Sequence, residues 1–134
     1  MRWIGLADTG PLYAARDPDD SFHRRSQDEL KILRSRNLKV VVPYPTLLES
    51  YTLVMRELGI RDAHGFLDEV VHKSIFENAT AEDYRKASSG VLPHADQAIT
   101  LVDAVIAEMS DRLGAPVWTF DYHFDVMGAN VWRP

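Results

Sequence analysis

Val117-Trp118-Thr119-Phe120-Asp121-Tyr122-His123-Phe124, introduced by Pro116, places four residues suited to a buried strand directly ahead of an aspartate. The opposite end of the chain repeats the arrangement, with Trp3-Ile4-Gly5-Leu6-Ala7 leading into Asp8. Both acids therefore read as C-terminal ends of buried strands, and on one parallel sheet two such ends share an edge. Ligands of open α/β sheets sit beyond that edge.

Working outward from these ends, the apolar pattern changes period in the manner of an α/β chain. Pro11 after an Asp8-Thr9-Gly10 turn opens a short helix, and Asp19-Asp20-Ser21 begins a longer one running to about Arg36, with Phe22, Leu30 and Leu33 facing the core. Leu38 to Val42 carries a β-branched run ended by Pro43. Pro45-Thr46 then starts an amphipathic helix that stops near Gly59. Arg61 to His72 is helical, Ser74 to Asn78 is a strand, and Thr80 with Asp83 three residues later opens a helix to about Leu92. Thr100 to Leu113 is a helix stopped by Gly114, and a short strand near Asn130 to Trp132 closes the chain. Strands alternating with helices imply a central parallel sheet covered on both faces.

Two further acids stand in apolar company. Glu49 lies in Thr46-Leu47-Leu48-Glu49-Ser50-Tyr51, and Asp103 in Leu101-Val102-Asp103-Ala104-Val105-Ile106, where a helix-interior aspartate needs a partner. An ionised acid is costly to bury alone, and a hard, oxygen-seeking cation is the simplest compensation for several at one place. Each also has an ordinary role: Asp8 as a turn or helix cap, Glu49 as a solvated helix residue. Asp96 and Asp125 are further candidates, more in keeping with loop or capping positions. Thr9 and Thr119 set hydroxyls beside the strand-end acids, able to orient a carboxylate or simply to pack.

The rest of the composition narrows the classes. A chain of 134 residues with 46% hydrophobic and 26% charged content suits one globular domain with a real core. The absence of cysteine excludes disulfides, thiolate nucleophiles and sulfur-ligated zinc. His23, His64, His72, His94 and His123 show no metal-binding spacing and are set aside. A net charge of −5 opposes indiscriminate coating of nucleic acid, though Arg24, Arg25, Lys31, Arg34, Arg36 and Lys39 form a basic stretch able to meet phosphates. No apolar run has the length of a membrane span, and the N-terminal strand lacks a signal peptide's features, so a soluble cytoplasmic protein is expected.

At these residues the sequence resembles the PIN-domain nucleases, especially the VapC-like toxins of prokaryotic toxin-antitoxin pairs. The resemblance spans almost the whole chain and rests on Asp8-Thr9, Glu49, Asp103-Ala104 and Thr119 to Phe124 in that order. It departs at Gly10, where many relatives carry a polar residue. The resemblance implies a three-layer α/β/α sandwich with a mostly parallel sheet of four to five strands. It implies a catalytic metal site of Asp8, Glu49, Asp103 and Asp121, with Thr9 and Thr119 behind them, holding Mg²⁺ or Mn²⁺ for hydrolysis of RNA. It further implies a homodimer and an antitoxin partner, with Leu53, Val54 and Leu58 among the apolar residues available for contact. The competing reading is a catalytically inactive PIN-like module that binds RNA or a protein partner. A phosphoacceptor domain fits poorly, because Asp8 is a single acid after the first strand and no lysine lies near Asp121, and an Asp-nucleophile phosphatase or phosphotransferase because Gly10 stands where a second Asp would be needed.

Overall fold

The computed structural model describes residues 5–134. Trp3 and Ile4, expected to begin the first strand, lie outside the described residues. Strand β1 (Leu6–Ala7) runs into helix α1 (Thr9–Arg16), followed by α2 (His23–Ser35), β2 (Val41–Pro43), α3 (Tyr44–Leu58), α4 (Ile60–Lys73), β3 (Ile75–Glu77), α5 (Ala81–Val91), α6 (Leu101–Leu113), β4 (Val117–Trp118) and α7 (His123–Val126). A single 3-10 turn, Leu92–His94, follows α5.

The four strands are parallel, in the order β3-β2-β1-β4, with Leu6 registered against both Val41 and Val117. A fifth strand is reduced to one parallel bridge between Val131 and Val117. Because side chains alternate across a strand, each two-residue step feeds two cores. Leu6, Val41 and Val117 pack with Val105, Ile106, Met109 and Phe124 on one face. Ala7, Val42 and Trp118 pack with Leu12, Val54, Phe66 and Val70 on the other. The result is the expected three-layer α/β/α sandwich with a PIN-like arrangement, its strands buried on both sides as uninterrupted apolar runs require.

Several boundaries and facings differ from expectation. There is no separate turn at Asp8-Thr9-Gly10, since α1 begins at Thr9 with Asp8 as its N-cap. The ladder takes only part of the runs at Leu38–Val42 and Val117–Phe120: β2 is Val41–Pro43, preceded by half-buried Leu38 and Val40 and exposed Lys39, and β4 stops at Trp118 although Thr119 is also buried. Phe22 is 44% exposed instead of facing the core, where Leu33 is buried and Leu30 half-buried. Val54 belongs to the core and is unavailable for contact, whereas Leu48 on the same helix is 69% exposed.

Candidate metal and active site

The strand order places the site. The chain steps from β1 to β2 and β3 on one side, then returns to lay β4 on the other side of β1. The crevice beyond the C-terminal ends of β1 and β4 is the switch point where α/β sheets take ligands. Asp8 follows β1 directly, and Thr119, Phe120 and Asp121 follow β4.

Threonine hydroxyls tie these segments together. Asp8, in extended conformation at the N-cap of α1, accepts from the Thr9 amide at Oδ1 (2.8 Å) and from Thr119 Oγ1 at Oδ2 (2.8 Å). Thr119 Oγ1 accepts in turn from the Asp121 amide (3.0 Å), so one hydroxyl fixes both strand-end acids. Thr9 Oγ1 donates to Glu49 Oε1 at 2.5 Å, linking α1 to α3.

Asp103 stands elsewhere in its helix than the sequence suggested. It is the third residue of α6, its amide donating to the N-cap hydroxyl of Thr100 (3.1 Å), rather than a residue of the helix interior. An acid in the first turn is favoured by the helix dipole, which explains why aspartate is tolerated there.

Asp8, Glu49, Asp103 and Asp121 all line one open cleft of about 460 Å³, together with Thr9, Thr100 and a rim of aromatic residues. Burial, reinforced by the Asp103 charge, pushes the Asp8 carboxyl up to about 7, against the opposing hydrogen bonds from Thr119 and Thr9. Burial and the neighbouring Asp121 raise Asp103 to about 6. No Lys, Arg or His is among the described residues lining the cleft. Crowded acids with no cationic side chain among the described lining residues, two of them raised by burial and neighbouring negative charge, are a donor set that fits a hard divalent cation.

Among the described residues, the tightest set of potential ligand atoms is Asp103, Asp121 and His123, each offering one atom within 4.8 Å of the others. Asp8 and Glu49 share the cleft outside that set. His123 is a residue that sequence reasoning missed. It has no paired histidine at ligand spacing, and only the single turn of α7 folds it back, its amide donating to Asp121 Oδ1 (2.9 Å). Its buried Nδ1 lies 3.1 Å from Asp121 Oδ1 without hydrogen-bond alignment. Asp20 also lines the cleft, and no sequence signal distinguished it from its neighbours. Asp96 and Asp125 do not line it: Asp96 is exposed beyond the 3-10 turn, and Asp125 pairs with Arg133 at 3.0 Å.

No protein-family model matches this chain, and no curated protein matches it in sequence. Solved structures do resemble it. VapC20 of Mycobacterium tuberculosis, described as a Sarcin-Ricin loop cleaving toxin, superposes with a TM-score of 0.81 at 23% identity, over 96% of this chain and 98% of that one. VapBC2 of Rickettsia felis, solved with a DNA fragment from its promoter, gives 0.74 at 15% identity over 97% of both chains. FitAcB of Neisseria gonorrhoeae gives 0.68 at 18% identity over 98% of both. At such identities the likeness is one of fold, and the chain has the PIN-like fold that it shares, end to end, with VapC20, VapBC2 and FitAcB.

Proposed function

We propose that this protein belongs with the VapC-like PIN nucleases, is a metal-dependent ribonuclease hydrolysing RNA phosphodiester bonds, and serves as the toxin of a toxin-antitoxin pair. The observation that carries the reading is the meeting of Asp8, Glu49, Asp103 and Asp121, from four separate elements, in one cleft that no Lys, Arg or His among the described residues lines. Its fold supports the same reading, since VapC20, which shares it, is described as a Sarcin-Ricin loop cleaving toxin.

Asp8, Glu49, Asp103 and Asp121 would hold Mg²⁺ or Mn²⁺, with His123 beside Asp121 as a further donor. When bound, the cation supplies Lewis-acid polarisation of the phosphate and stabilises charge developing on its oxygens. The chain's own residues position the reaction. Thr119 holds Asp8 and the Asp121 backbone in register, and Thr9 holds Glu49. In hydrolysis the water oxygen forms the new bond to phosphorus, a carboxylate oxygen takes the water's proton, and the departing ribose oxygen is protonated from solvent. No covalent enzyme intermediate is required.

The test is to incubate structured and single-stranded RNAs with the protein in Mg²⁺, Mn²⁺ or EDTA, beside Asp8→Asn and Asp103→Asn. We expect chelation to abolish cleavage and each substitution to slow it roughly 100-fold or more, as loss of a charge-stabilising group does. Cleavage indifferent to chelator and to both substitutions defeats the nuclease reading, and binding without cleavage favours the inactive module. As a toxin, the protein acts in the cytoplasm as a homodimer. Its antitoxin inhibits it by covering the acidic cleft with a basic side chain. Light scattering with and without the product of the neighbouring gene tests this, and a monomer that fails to bind that product counts against it.

A further inference from the structure

We propose that Phe22, Phe120 and Tyr122, with Arg25, form a stacking site for one unstacked nucleobase of the strand next to the carboxylate cleft. The proposal rests on the ribonuclease reading for the identity of the strand. Its observations are separate from the acids.

Phe22, Phe120 and Tyr122 line the same cleft as Asp8 and Asp103. Phe22 is 44% exposed and Tyr122 63% exposed, so core packing accounts for neither. The rings of Phe22 and Phe120 lie 5.1 Å apart between centroids at an interplanar angle of 34°. Arg25 sits over the Phe120 ring, its Cζ 4.3 Å from the centroid, and is itself held by the buried Glu29 carboxylate at 3.0 Å. The Tyr122 ring, which also lines the cleft, packs against the His123 imidazole with centroids 4.4 Å apart.

Aromatic faces backed by an anchored guanidinium suit a base, because every base offers a π face and a flanking phosphate is drawn to the cation. In an A-form duplex the bases are stacked on one another and cannot offer that face; in a single strand or loop they can. A protein partner would find a larger apolar surface in a neighbouring groove of about 670 Å³, lined by Leu48, Tyr84, Leu101 and Val105. The small, partly cationic rim is better matched to one nucleotide than to a peptide.

The experiment uses short single-stranded RNAs of mixed sequence with 2-aminopurine moved through successive positions. Binding is read by fluorescence in Ca²⁺, which neutralises the carboxylates. The proteins are the wild type, Phe22→Leu combined with Tyr122→Leu, and Phe22→Tyr, with thermal midpoints recorded for each. We expect quenching at one position in the wild type, retained in Phe22→Tyr. In the doubly substituted protein it should be lost, with affinity weakened by roughly tenfold. The proposal is overturned if the double variant binds and quenches like the wild type, if an annealed duplex of the same sequence quenches equally, or if the substitutions weaken only a protein complex. Replacing Ca²⁺ with Mg²⁺ or Mn²⁺ separates the two readings. Quenching without hydrolysis removes the nuclease reading and leaves stacking standing, whereas undiminished hydrolysis of single strands by the double variant removes stacking alone.

Discussion

Asp8 and Asp103 have carboxyls raised to about 7 and about 6 from an ordinary value of 3.8, with burial the leading cause in each. A carboxyl whose pKa is higher folded than unfolded binds its proton more tightly in the native state, so its contribution to stability is greatest at low pH. That contribution falls as pH rises from about 4 through the folded value. Without divalent cations, the thermal midpoint should therefore drop between about pH 5 and about pH 8. For Asp8 the effect is on the order of a few kcal/mol at most. Asp8→Asn should flatten the profile and raise the midpoint in EDTA near pH 8 by several degrees, even as it slows the proposed cleavage. Thermal melts across that range decide this, and stability that is flat or rising with pH contradicts it. The individual acids were legible in the sequence because each interrupts an apolar run. His123 was not, because its relation to Asp121 depends on a single helical turn and its relation to Asp103 on tertiary packing.

Helices α5 and α6 are joined by a polar clamp between Asp83, in the first turn of α5, and Arg112, in the last turn of α6. Asp83 closes a capping box with Thr80, and its nearly inaccessible carboxylate accepts from Arg112 at 2.8 Å and 3.1 Å. Burial pushes that carboxyl up, but the Arg112 guanidinium together with Thr80 outweighs it and leaves the group below its usual value. Arg112→Ala leaves a buried charge without its partner and should cost about 2–4 kcal/mol, somewhat below the range for fully buried pairs because Arg112 is partly exposed. Arg112→Lys should recover only part, since a lysine cannot reproduce the fork. Urea denaturation measures both, and a loss below about 0.5 kcal/mol for the alanine variant would show the clamp to be superfluous. Element ends of this kind were visible from sequence: Thr80 as a cap, Gly59 and Gly114, both at positive φ, as stops; Thr100, read as the first residue of its helix, is the N-cap. Facing was less visible. Phe22 has the composition of a core residue, yet it stands at the very start of α2, before the helix has turned toward the sheet.

Across the whole molecule, the topology brings together residues that the sequence holds far apart: Thr119 and Asp8, hydrogen-bonded at 2.8 Å, are separated by 111 positions. Strand type and helix order could be read locally, but convergence at the β1–β4 edge depends on the strand order, which periodicity does not encode. That convergence concentrates negative charge from β1, α3, α6 and the segment after β4 in one cleft, so global stability should be linked to cation binding. A ligand that binds only the native state at 100 times its Kd adds about 2.7 kcal/mol. For a chain of this length that corresponds to a rise in thermal midpoint of roughly 10 °C. Mg²⁺ or Mn²⁺ should produce such a rise near pH 8. Near pH 5, where protons compete for Asp8 and Asp103, the rise should be much smaller, and Asp8→Asn should reduce it at both pH values. Monovalent salt at matched ionic strength is the decisive control, because simple screening of repelling surface acids also stabilises a protein. An equal rise with Na⁺ would mean that the cleft is merely acidic, whereas a rise confined to divalent cations and lost with Asp8 marks a coordinating site that the fold was assembled around.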